Sequence, residues 1–107
     1  MDNQEVYNTV KAHLLSQGHK SLGANGHCAY RGEEGTMCAV GALIPDDMYH
    51  VGMEGTACSD GDVFAVLDQL GIDYILVRSL QQLHDNVPID IWPEALAAHA
   101  RHFGLKP

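Results

Sequence analysis

Long hydrophobic runs are missing from this 107-residue chain. None approaches the roughly 18 residues that a bilayer-spanning helix requires, so no membrane is expected. The opening MDNQEVYN is acidic and polar, without the basic and apolar stretches of a secretory leader, and a cytoplasmic setting is expected. Basic residues are also scarce: 6 Lys and Arg stand against 14 Asp and Glu, a formal net charge of −8. Lys11, Lys20, Arg31, Arg78, Arg101 and Lys106 are scattered, which disfavours direct nucleic-acid binding. Cysteine is limited to Cys28, Cys38 and Cys58, an odd number at uneven spacing. That excludes the even, dense set of a disulfide scaffold and suits reduced, packed thiols. The glycine-rich phosphate loops GxxxxGK[ST] and GxGxxG are both lacking, so no nucleotide cofactor is expected. Repeats, low-complexity tracts and long linkers are absent too.

What remains is a chain with 46% hydrophobic and 19% charged residues, the composition of one globular domain spanning 1–107. Residues 2–17 have helical periodicity, with Asp2 and Glu5 as a capping box and Gly18 as the stop. Ser59 and Asp62 open a second helix that ends at Gly71. The run IDYILV, extended to residue 86, fits a third better than a strand, because Leu76, Leu80 and Leu83 recur at helical spacing. Asp90 and Pro93 begin a fourth, whose Trp92, Leu96, Ala100 and Phe103 face inward. Between the first two lies CAYRGEEGTMCAV, two short runs flanking a glycine-bounded turn. AVGALI reads alternatively as a short helix beginning near Cys38, followed by a proline-led turn at PDDMY. The expected fold class is α+β, mainly α: about four helices with a small β-hairpin or irregular insert around residues 27–40.

Several constellations bear on chemistry. Cys38 at a helix start, with His84 as base, would suit a Cys-dependent hydrolase or transferase. Against it, Asp85 directly follows His84, and neighbours on a helix diverge, so Asp85 is not expected to orient the imidazole. Metal-ligand pairs at zinc-finger spacing are lacking, and no metal is expected. Cys28 and Cys38 would face each other across a hairpin, a geometry that allows a redox pair. Between residues 33 and 62 the acids Glu33, Glu34, Asp46, Asp47, Glu54, Asp60 and Asp62 meet no Lys or Arg. That concentration favours contact with a protein partner bearing a basic surface. Arg31, Asp85 and Trp92 read as structural, with Arg31 pairing Asp85 to fasten the insert onto the helices.

The pattern CxYRGxxGxxCAxGxLIPDxxY, with MEG, LQxxHD and a Trp-initiated last helix, resembles a family of small uncharacterised proteins encoded by bacteriophages and prophages. It is carried by Cys28, Tyr30, Arg31, Gly32, Gly35, Cys38, Ala39, Gly41, Leu43 to Asp46, Tyr49, Met53 to Gly55, Leu80, Gln81, His84, Asp85 and Trp92. The resemblance implies a setting rather than a mechanism: a small acidic protein that binds, and inhibits, a host anti-phage defence or nucleic-acid-binding factor. Catalysis is left open, with the balance against it, and the oligomeric state is not legible.

Overall fold

A computed structural model describes residues 1–58 and 61–107. Five α-helices account for most of it: α1 (Asn3–Gln17), α2 (Ala39–Leu43), α3 (Gly61–Gln69), α4 (Tyr74–Asn86) and α5 (Trp92–His102). Among the described residues no helix is long and apolar enough to cross a membrane. The mainly-α expectation holds, with α2 as an additional short helix.

The helix ends follow from local chemistry. Asp2 accepts the Glu5 N–H while Glu5 reaches back to the Asp2 N–H, and Gly18 closes α1 at φ 68°. Asp73 caps α4 through the Ile75 N–H. Ser59, the expected cap of α3, lies outside the described residues, while Asp62 stands in the first turn. The proline-led segments form single 3-10 turns, Asp46–Met48 after Pro45 and Ile89–Ile91 after Pro88, the latter running into α5. The buried stripes of α1 (Val6, Tyr7, Val10, Leu14), α4 (Leu76, Val77, Leu80, Leu83) and α5 (Trp92, Leu96, Ala100) meet in one core.

The β-hairpin does not form. Among the described residues only two isolated antiparallel bridges occur, Leu22 with Cys28 and Arg31 with Met37. A strand needs a neighbour for its N–H groups, and here a side chain takes that place. Both oxygens of Glu54 are used: Tyr30 N–H donates to one at 2.8 Å and Arg31 N–H to the other at 3.0 Å. GEEG folds into a 3-10 turn, Glu33–Gly35, with Glu34 left-handed at φ 59°.

One glycine fixes how this irregular segment meets the helices. A Cβ on Gly41 would lie 2.1 Å from the Tyr30 carbonyl oxygen, so α2 sits directly on the Tyr30 backbone. That contact holds residues 28–31 beside α2, and α2 packs in turn on α1 and α4.

Candidate functional site

Residues 21–29 make a small loop closed at its neck. Ser21 O accepts the Ala29 N–H at 3.1 Å, and Ser21 Oγ donates to Ala29 O at 2.7 Å. The third polar group of Ser21, its N–H, donates to His84 Nε2 at 2.9 Å. The neck therefore sets Cys28, one residue before Ala29, against the last turns of α4. Lys20 Nζ adds a bond to the Asp85 carbonyl oxygen at 3.0 Å, a favourable cation at a helix C-terminus.

Two backbone donors determine how the side chains around Cys28 are oriented. The Val40 N–H, in the first turn of α2, donates to Gln81 Oε1 at 3.0 Å, which turns the Gln81 amide nitrogen toward the thiol. That nitrogen donates to Cys28 Sγ at 3.2 Å and to Asp85 Oδ1 at 2.9 Å. Because Ser21 donates to Nε2 of His84, the lone pair lies there and the proton is on Nδ1. Nδ1 is 2.8 Å from Asp85 Oδ1 and 4.0 Å from Cys28 Sγ. The sulfur and the carboxylate thus face N–H donors from both Gln81 and His84.

The expectation that Asp85 could not orient His84 is overturned by that 2.8 Å contact. Nδ1 is the ring nitrogen nearer the backbone, so the short aspartate next in sequence can swing back to it. Nε2 points the other way, to Ser21, and the imidazole is fully enclosed, with the Trp92 ring 5.7 Å away between centroids. Burial pulls the His84 pKa down, but bonding to Asp85 and Cys28 outweighs it and the net direction is up. An added proton would have to enter at Nε2, so charging the ring means opening the Ser21 bond. Burial raises the Asp85 pKa, while bonds to His84, Cys28 and Gln81 prevail and lower it.

Hydrogen bonding with Cys38, followed by burial, pushes the Cys28 thiol up, with His84 pulling the other way. Repulsion from Cys38 and bonding with Asp85 add to the rise. Cys28 reaches solvent and accepts from Gln81, whereas Cys38 is fully enclosed.

Cys28, His84 and Asp85 also present ligand atoms within 4.8 Å of one another. A metal on Nδ1 would require the proton to move to Nε2, directly against the Ser21 N–H. Metal-bound histidines ordinarily give that second N–H to an acceptor. The donor set fits a charged sulfur better than a bound cation.

Cys28 opens into a cleft of about 450 Å³, whose lining includes Tyr30, Thr56, Arg78, Gln81 and Asp85. His27 and Cys28 border two further hollows as well. On α4 the residues Arg78, Gln81, Gln82 and Asp85 follow one another at helical spacing and form one wall of the cleft.

The other expected site residues are placed differently. Cys38 caps α2, accepting the Gly41 N–H at 3.4 Å, and is fully buried. It is Cys28, not Cys38, whose sulfur contacts His84. Arg31 does not pair with Asp85. It donates to Asp46 at 2.7 Å and to Ile44 O at 2.6 Å, and lies 5.0 Å over the Tyr49 ring. It thereby fastens the insert to the following turn, while the Asp85 carboxylate is held by its α4 neighbours. Glu33, Glu34 and Asp47 are exposed, Asp46 is engaged by Arg31, and Asp62 lies 2.7 Å from His50. Glu54 is half-buried and takes a third bond from the Tyr49 hydroxyl at 2.6 Å. Asp60 lies outside the described residues. Trp92 is buried, its Nε1 donating to Val87 O.

Sequence reasoning missed Ser21, Gln81 and the choice between cysteines. One signal was available for the last: Cys38 precedes the apolar run AVGALI, whereas Cys28 ends a glycine-rich loop. Comparison of the chain with protein-family models, curated proteins and solved structures finds no match.

Proposed function

We propose that the protein is a thiol-dependent acyl transferase or hydrolase with Cys28 as its nucleophile. The observation that supports it is the Cys28 sulfur, open to a cleft and held 3.2 Å from the Gln81 amide nitrogen with His84 Nδ1 behind it. The His84 contact pulls the Cys28 thiol down against the larger upward push of Cys38 and burial, and the thiolate it favours is the reactive form. The thiolate attacks the carbonyl of an acyl group bearing a leaving group stable as an anion, such as a thiolate. The C–S bond forms, the carbonyl electrons collect on oxygen, and their return expels the leaving group and leaves a thioester on Cys28. Once the sulfur is acylated, the Gln81 N–H is free to turn to the oxyanion. Water, losing a proton to solvent, then cleaves the thioester and releases the acid, or another nucleophile accepts the acyl group.

The test is intact-protein mass spectrometry after exposure to a small phenyl thioester. Acylation at Cys28 should run at least about tenfold faster than on the urea-unfolded chain, persist in Cys38→Ala and vanish in Cys28→Ala. Acylation no faster than in the unfolded chain would reject the reading.

A second reading, contact with a basic protein partner such as a host factor of the kind a phage inhibitor would target, is favoured by exposed Glu33, Glu34 and Asp47. It draws on a smaller set of free acids, since Glu54 serves the fold and Asp46 and Asp62 have partners. Binding of this type weakens steeply with added salt, and a partner retained unchanged at high ionic strength would argue against it.

A further inference from the structure

The cleft holds a cation that the chemistry above does not use. Arg78 is exposed on α4 and lines the cleft with Cys28. Among the described residues it has no ion pair and no hydrogen bond. It precedes Asp85 by seven residues, two turns or about 10 Å of helix rise, on the wall where Gln81 reaches the thiol. The carboxylate nearest the sulfur is already occupied by Gln81 and His84. An arginine with no counter-ion among the described residues, in a protein of net charge −8, leaves an opening for an anion supplied from outside. The cleft volume, about 450 Å³, matches a small-molecule site rather than a macromolecular surface.

Building on the thiol reading, we infer that the substrate of Cys28 is a small molecule carrying a carboxylate or phosphate that Arg78 holds on the cleft wall it shares with Gln81.

Two alkylating reagents of nearly equal size, anionic iodoacetate and neutral iodoacetamide, separate this inference from the reading it rests on. The full-length protein is labelled with each, and adduct formation at Cys28 is followed by peptide mapping. The iodoacetate-to-iodoacetamide rate ratio should exceed that of the urea-unfolded chain by about tenfold or more, and the iodoacetate rate should saturate with concentration. In Arg78→Gln the ratio should fall to within about twofold of the unfolded value, with iodoacetamide labelling unchanged. Arg78→Lys should keep part of the preference. Competition by acetate and by inorganic phosphate then tells the two anion classes apart, the stronger protector naming the class. If iodoacetamide labels Cys28 faster than in the unfolded chain but iodoacetate shows no preference, the anion inference fails alone. If neither reagent outpaces the unfolded chain, the thiol reading fails and the inference falls with it.

Discussion

Replacing Glu54 should cost this protein more than replacing any pair of its exposed acids. Its carboxylate takes the Tyr30 N–H at 2.8 Å on one oxygen, and the Arg31 N–H at 3.0 Å and the Tyr49 hydroxyl at 2.6 Å on the other. Hydrogen bonds to a charged group contribute about 1.5–3 kcal/mol each, and the lower end applies to a half-buried site. Two backbone bonds and a phenol bond therefore amount to about 4.5 kcal/mol in Glu54→Ala, which strands all three donors. A domain of this size loses about 4–8 °C of Tm per kcal/mol, so a drop of at least about 15 °C is expected. Glu54→Gln keeps one acceptor for Tyr30 but turns an NH2 against the Arg31 N–H, for a cost of about 2 kcal/mol. The double substitution Glu33→Gln, Glu34→Gln, in the exposed 3-10 turn, should stay within about 0.5 kcal/mol. Thermal and urea unfolding followed by circular dichroism reads all three. A Glu54→Gln protein as stable as its parent would refute the assignment of Glu54 as the substitute for a strand partner.

Gly41→Ala should lower stability by about 2 kcal/mol or more despite alanine's better helix propensity, because its Cβ meets the Tyr30 carbonyl at 2.1 Å; an unchanged urea midpoint would contradict the close approach. Asp85→Asn should destabilise the fold at neutral pH. Because the folded-state pKa of Asp85 is lowered, its contribution is present above the ordinary aspartate value and disappears as pH falls through the lower folded value. The Tm gap between parent and variant should accordingly close below about pH 4, and a gap constant down to pH 2 would contradict the shift. Zinc should leave the parent's Tm unmoved, since the Ser21 N–H keeps Nδ1 of His84 protonated; a rise of several degrees that Cys28→Ala abolishes would overturn that tautomer.

The helices were legible because their signals are local. Asp2 with Glu5, Gly18, and the recurrence of Leu76, Leu80 and Leu83 need no information from elsewhere in the chain. The failed hairpin shows the limit of such reading. CAYRGEEGTMCAV has the two short runs and glycine-bounded turn of a hairpin, but whether the N–H groups of Tyr30 and Arg31 meet a strand or a carboxylate depends on Glu54, over twenty residues away. Likewise His84 and Asp85 were visible as candidates, while their partner was not. Cys28 reaches them through the Ser21 neck and the Gly41 contact, and neither has a signature beyond a serine in a loop and a glycine in a helix.

The donor on Nε2 has one more consequence. An imidazole fixed as its Nδ1–H tautomer can lend a hydrogen bond to sulfur but cannot ferry protons between thiol and solvent while the Ser21 bond stands. His84 thus supplies a polar hydrogen to the site and not a relay. Proton transfer through His84 should therefore contribute nothing to chemistry at Cys28 while the Ser21 bond stands.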